Sequence, residues 1–189
     1  MKETLLSILN EYLELFPDEL KKQEKVINFI KSHKAEEIAD WNNFDGHIVA
    51  TGFIYAIKEE KFLVVHHKDL NMLLSPGGHM DQNDENPLVT AQREAKEETG
   101  INHLKQLKIA NDEQLVPFDI DTHITKFNQR LNLPEHYHFD FRYIFTIDKI
   151  ESVKIDIEES SSYKWLDIEQ LYTETDYGKI LPKVERLLT

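Results

Sequence analysis

Glu94, Glu97 and Glu98 stand at i, i+3 and i+4, a spacing that sets three carboxylates on one side of an α-helix at about 100° per residue. A double glycine, Gly77 and Gly78, precedes them, followed by a polar stretch that includes Asp81, Asp84 and Glu85. Crowding like charges at these spacings costs an isolated helix about 0.2–0.5 kcal/mol per pair, and a bound divalent cation would reverse that cost. Oxygen-only ligands select hard ions, and Mg²⁺ takes one or two protein carboxylates while completing its shell with water and phosphate oxygens. The expected cofactor is therefore Mg²⁺ or Mn²⁺. For any three glutamates taken alone the alternative is a solvated acidic face; their surroundings decide against it.

The helix that carries them has a clear start and end. Asn86 before Pro87 reads as an N-cap and first helical residue, and Gly100 as the residue past the helix end, so the pattern predicts a helix over Pro87 to Thr99. Leu88, Ala91 and Ala95 form an apolar stripe beside the glutamates that can dock on a sheet.

This segment resembles the Nudix hydrolase signature: Gly, five residues, Glu, seven residues, then Arg-Glu-apolar-any-Glu-Glu-any-Gly-apolar. From Glu85 the match is complete, with seven residues before Arg93, then Glu94, Ala95, Glu97, Glu98, Gly100 and Ile101. One departure is visible, since six residues rather than five separate Gly78 from Glu85. The resemblance implies that Glu94, Glu97 and Glu98 bind metal together with the Gly78 carbonyl, and that Glu85 and Arg93 form a supporting ion pair. It places the general base at Glu97, among the catalytic carboxylates with Glu98, or at a distal glutamate, Glu158 or Glu159. The implied fold is α+β, an α/β/α sandwich around a mixed sheet. The implied activity is divalent-metal-dependent pyrophosphohydrolysis of a nucleoside diphosphate linked to another moiety, by attack of water on phosphorus. Clustered carboxylates with Mg²⁺ suffice for that chemistry, because charge neutralisation and an in-line water are its main demands. Two alternatives remain: a catalytically silent nucleotide sensor, which has no need of all three glutamates, and a prenyl diphosphate isomerase, whose expected cysteine nucleophile is absent.

Composition narrows the partners. A formal charge of −13 argues against nucleic acid polymers and anionic membranes, which call for clustered Lys and Arg; a small nucleotide-like diphosphate remains open through metal. No apolar run approaches the ~20 residues of a membrane span, and Glu3, Glu11 and Glu14 interrupt the N-terminal apolar pattern. The lack of cysteine agrees with a reducing compartment, so a cytoplasmic location is expected.

Around this segment, 189 residues at 40% hydrophobic content supply one substantial core. Residues 1–44 read as a helical extension: Leu5, Ile8, Leu9, Tyr12, Leu13 and Phe16 recur at helical spacing up to Pro17, and Leu20, Val26, Ile27 and Ile30 form a second amphipathic run. This helical hairpin is a lid, a homodimer interface or simple packing on the sheet. Residues 45–189 form the Nudix-like domain. Strands are predicted at Ile48 to Ile57 and Phe62 to His66, joined by a hairpin at Lys58 to Lys61, then at Met72 to Ser75, Tyr137 to Ile147 and Tyr163 to Trp165. A helix follows Asp167, another starts at Pro182, and Glu158 to Ser162 reads as a loop.

Two ladders lie beyond the signature. Period-2 alternation puts His136, His138, Asp140 and Arg142 on one strand face, opposite the aromatic Tyr137, Phe139, Phe141 and Tyr143. Asp119, Asp121 and His123 form a matching face that can pair with them. Both patterns resemble a recurrent Nudix group in which Asp-Ile-Asp-any-His and His-any-His-any-Asp-any-Arg occur together. Arg142 is expected to clamp substrate phosphate, with His136, His138 and the loop residue His79 as further substrate contacts. The alternatives are an ordinary polar sheet face and a second metal held by histidines.

Overall fold

The computed structural model describes residues 1–109, 115–125, 127 and 133–188. Helices α1 (Lys2–Leu15) and α2 (Leu20–Ser32) form the expected hairpin, joined by a 3-10 turn at Pro17–Glu19, and a short α3 (Ala35–Ile38) follows that periodicity did not reveal. Next come β1 (His47–Ala56), β2 (Lys61–His67), β3 (Met72–Leu74), β4 (Gly77–His79) and α4 (Pro87–Thr99). The remainder comprises β5 (Lys105–Gln106), β6 (Asp119–Ile124), β7 (Tyr137–Ile147), β8 (Ser160–Leu166), α5 (Ile168–Glu174) and α6 (Leu181–Leu188). Strand β8 begins at Ser160, so the tract read as a loop over Glu158 to Ser162 is half strand, paired with β2 through Ser160 opposite His67.

The eight strands form one mixed sheet. Its spine is the parallel pair β1 and β7, in register from His47 opposite His138 to Ala56 opposite Ile147. Strand β4 runs antiparallel along β1, with Ala50 opposite Gly78, and β6 runs antiparallel along β7, with Asp119 opposite Arg142. Alternation along β1 sends Ile48, Ala50, Ile54 and Ala56 into one core, shared with Ala91 and Ala95 of α4 and with Leu5, Ile8, Tyr12, Val26 and Ile30 of the N-terminal helices. Phe53 enters a second core with Phe62, Ile144, Leu171, Leu181 and Val184. Helices thus cover both sides of the sheet, as the α/β/α reading anticipates. The N-terminal hairpin contributes to the main core, which favours the packing alternative. Its α2 also lies along β6, where Gln23 Nε2 donates to the Ile120 carbonyl at 2.9 Å. Among the described residues no helix is long and apolar enough to cross a membrane.

A buried charge network joins these parts. Arg142 donates to Asp140 at 2.7 Å, to Asp121 at 3.0 Å and to Asp119 at 3.3 Å. Asp119 also receives Lys22 of α2 at 3.2 Å and Lys183 of α6 at 3.3 Å, while Lys183 contacts Glu19 at 2.6 Å. The phosphate-clamp expectation for Arg142 is corrected here: its side chain is only 11% exposed and its fork is spread over three carboxylates. The ladder pairs as Asp with Arg, but His123 stands opposite His138 rather than an acid.

Removing one member of a buried ionic set leaves uncompensated charge, which costs about 3–5 kcal/mol. Arg142→Ala should therefore lower the denaturant midpoint strongly, since Asp119 and Asp140 stay buried without it. A midpoint equal to wild type would mean that Lys22 and Lys183 hold the acids unaided.

Candidate active site

Every local signal for α4 is met. Asn86 caps it by accepting from the Val89 amide at 3.1 Å, Pro87 opens it, and Gly100 closes it at φ 73°, a left-handed conformation that glycine adopts without strain. Ala91 and Ala95 are fully buried against the sheet, and Glu94 and Glu98 turn toward the glycine segment. There the backbone leaves no room for side chains. A Cβ on Gly78 would lie 2.6 Å from the Glu94 carboxylate, and one on Gly77 would lie 2.7 Å from the Ala50 carbonyl.

The three glutamates are not equivalent. Glu98 is buried and accepts from the Gly77 amide at 2.6 Å. Glu94 is 14% exposed and accepts from Arg93 at 2.8 Å, whereas Glu97 is 59% exposed and meets Arg93 at 3.1 Å. Burial raises the Glu94 carboxyl to about 7, with Arg93 pulling it down and Glu97 and Glu159 pushing it up. Burial likewise raises Glu98 to about 8, against the Gly77 hydrogen bond and with help from Glu159, Glu94 and Asp156. Carboxylates held at such values by desolvation and mutual repulsion are common at functional sites.

The distal glutamates separate. Glu159 is the one whose charge reaches both Glu94 and Glu98, while Glu158 is exposed and its amide donates to Asp156 at 2.8 Å.

The partner of Arg93 is also corrected. Glu85 is exposed, and the buried Asp84 takes its place, receiving Arg93 Nη2 at 2.9 Å, Nε at 3.3 Å and the Thr90 hydroxyl at 2.9 Å. These donors outweigh burial and hold the Asp84 carboxyl below its ordinary value. Five residues separate Gly78 from Asp84, so counting forward from the glycine finds it where counting back from the arginine finds Glu85. The extra residue therefore falls after the acid. Arg93 Nη2 also donates to the His79 carbonyl at 2.9 Å, tying helix to loop.

On the sheet face beyond β4, His79, His136 and His138 do come together, joined by His47, which the sequence did not single out. The His47 ring lies 4.7 Å from each of the other three. His47 is 1% exposed, neither ring nitrogen makes a hydrogen bond of good geometry, and the nearby Asn43 backbone acts to raise its pKa. Burial, then His79 and His136, lower it to about 3, and burial with its histidine neighbours lowers His138 further. Burial and then its neighbour His136 also lower His79, and rings whose charged form is disfavoured in this way are poor grips for phosphate.

The NUDIX domain family matches residues 46–186. A relative described as "Probable DHNTP pyrophosphohydrolase" from Lactococcus lactis subsp. cremoris (strain MG1363) is 30% identical over 154 residues, covering 80% of this chain and 83% of the relative. Among solved structures, a NUDIX-family hydrolase from Clostridium perfringens is 26% identical with a TM-score of 0.57, over 75% of this chain and 95% of that one. The dihydroneopterin triphosphate pyrophosphohydrolase of E. coli shares the fold at a TM-score of 0.54 and 17% identity, over 75% of this chain and 94% of that one.

Two outcomes follow from this geometry. Asp84→Asn should weaken the hold on Arg93 and reduce both thermal midpoint and turnover, while Glu85→Gln leaves both near wild type; the reverse order would restore Glu85 as the partner. In chelator, stability should fall as pH rises. Glu94 and Glu98 bind protons more tightly folded than unfolded, so their contribution is complete below the ordinary 4.5 and is lost as pH climbs through about 7 and about 8. Each contributes a slope of up to about 1.4 kcal/mol per pH unit across that window. A thermal midpoint that rises from pH 5 to 8 without metal, or an identical slope in Glu98→Gln, would contradict the assignment.

Proposed function

We propose, for a chain that belongs to the Nudix family and is a hydrolase of phosphoanhydride bonds, that it is a divalent-metal-dependent pyrophosphohydrolase releasing a phosphate-containing product from a nucleotide-like substrate by attack of water on phosphorus. The observation that supports this best is the pair of buried carboxylates, Glu94 and Glu98, pressed against the side-chain-free backbone of Gly77 and Gly78.

That arrangement fits a hard cation. Its donors are all oxygens, they repel one another, and the space a Cβ would fill at Gly78 is taken by a carboxylate. Glu94, Glu98, Glu97 and the Gly78 carbonyl would hold Mg²⁺ or Mn²⁺, which when bound neutralises phosphate oxygens and lowers the pKa of water. The chain's own groups then have distinct tasks. Gly77 N–H fixes Glu98, Arg93 orients Glu94 and Glu97 and anchors the loop through Asp84 and His79, and Glu159, solvent-exposed beside the cluster, takes the proton of the attacking water. No side chain forms a covalent bond to substrate.

The relative at 30% identity is named for a pterin triphosphate, so the organic end of the substrate is proposed to be a nucleoside or a pterin. A cytoplasmic setting remains part of this reading.

The test is a panel of nucleoside triphosphates, dihydroneopterin triphosphate, sugar nucleotides, dinucleotides and ADP-ribose with Mg²⁺ or Mn²⁺ in ¹⁸O-water. Label should enter a phosphate-containing product, without a burst. Glu98→Gln should lose about 100-fold or more in kcat with its fold intact, and Glu159→Gln should lose activity while Glu158→Gln does not. Tight nucleotide binding with no turnover across the panel would instead support a silent sensor.

A further inference from the structure

We propose that His47, His136 and His138 form a second cation site, for a borderline transition metal of the Zn²⁺ or Co²⁺ class, independent of the carboxylate cluster. The parallel register of β1 and β7 sets His47 beside His138, and His136 lies two residues earlier on the same face. One ring nitrogen from each lies within 4.8 Å of the others, and Nε2 of His136 is 3.2 Å from Nε2 of His138. Two imidazoles on a tetrahedral ion with metal–nitrogen bonds of about 2.0–2.1 Å stand about 3.3 Å apart, so this pair is already at ligand spacing.

The surroundings orient the rings for the same task. Nδ1 of His136 lies 2.8 Å from the Pro134 carbonyl, with the Thr125 hydroxyl at 3.2 Å. A ring that donates its Nδ1–H to a backbone carbonyl presents a bare Nε2 lone pair, the usual support of a metal-bound histidine. His47 supplies the independent sign: it is buried inside the cluster with both nitrogens unpartnered. Hydrogen bonding leaves that ring unexplained, and a cation among the three imidazoles satisfies it.

The nearby acids are otherwise engaged. Asp121 holds His123 and Arg142, and Asp140 holds Arg142 and the Thr51 hydroxyl. The donor set is therefore nitrogen, which favours Zn²⁺, Co²⁺, Ni²⁺ or Cu²⁺ and not Mg²⁺. Three protein ligands leave one position for water or a substrate atom. His79, whose ring is 5.3 Å from that of His138, directly follows Gly78 in the chain and so links the two sites.

The full chain, stripped with chelator and dialysed, is titrated with Co²⁺ and then Zn²⁺, read by visible absorption, elemental analysis and thermal unfolding. Wild type should bind a single tight equivalent of Zn²⁺, show Co²⁺ bands that Zn²⁺ but not excess Mg²⁺ abolishes, and melt higher with Zn²⁺. His136→Gln and His138→Gln should each lose at least about tenfold in affinity, while Glu98→Gln keeps wild-type Zn²⁺ binding. The proposal is overturned if wild type binds no Zn²⁺, if Mg²⁺ displaces it, or if Glu98→Gln abolishes binding and the histidine variants do not. Metal-free melting checks that the variants fold, and should they not, the wild-type stoichiometry and Mg²⁺ competition decide alone. Because Glu98→Gln removes turnover but not Zn²⁺ affinity, failure here is distinct from failure of the hydrolase reading.

Discussion

The contact between the Glu94 carboxylate and the backbone of Gly78 sets the terms for the rest of the molecule. It requires a chain segment without side chains, which Gly77 and Gly78 provide, and it requires α4 to sit close over the sheet, which the fully buried Ala91 and Ala95 allow. The C-terminal end of α4 then serves as an anchor. The Thr99 and Glu98 carbonyls accept the Lys154 and Asp156 amides at 2.8 and 3.2 Å, and the Glu159 carbonyl accepts the Lys68 amide at 2.9 Å. The segment bearing Glu158 and Glu159 is thus pinned between α4 and β2. A site of side chains from separate regions is made rigid by main-chain bonds.

The molecule holds two acidic clusters, and they differ in how their charge is answered. Asp119, Asp121 and Asp140 are answered from within by Arg142, and Asp119 also by Lys22 and Lys183, which together join α2, the sheet and α6. Glu94 and Glu97 have Arg93 as their charged partner, and it is shared with Asp84, while Glu98 accepts from the Gly77 amide. The first set is closed and structural. The second keeps an excess of carboxylates in a poorly solvated place, a cost that the proposed cation would relieve.

Sequence made the helix legible to the residue, because Asn86, Pro87 and Gly100 are strong local signals and the alanine stripe fixes its buried side. Tyr137 to Ile147 was equally clear from alternation, and its bounds coincide with β7. What sequence left open depended on long-range pairing. The parallel register of β1 with β7 has no local signature, so His47, which directly precedes the predicted β1, gave no hint that it faces His138. Arg142 on a polar face reads equally as clamp or ion pair until β6 brings two further aspartates beside it. Glu85 and Asp84 could be told apart only by burial, and Glu158 and Glu159 only by which one the turn before β8 directs at the cluster. Short, polar α3 lacks the apolar repeat that reveals longer helices.

These features meet along β1. Gly78 pairs with Ala50, His79 with Val49, and His47 lies three residues before Ala50, a backbone interval of about 10 Å at some 3.3 Å per residue. The carboxylate cluster on α4 and the imidazole cluster thus border the same stretch of β1, one offering hard oxygen donors and the other nitrogen donors. Arg142, a cation built into the imidazole-bearing face, is already committed to three carboxylates, so it adds little positive potential for an incoming anion. Under the two proposals, bound cations would supply the positive potential that Arg142 does not, in a chain of net charge −13, and the two donor sets are chemically suited to hold different ones at the same time.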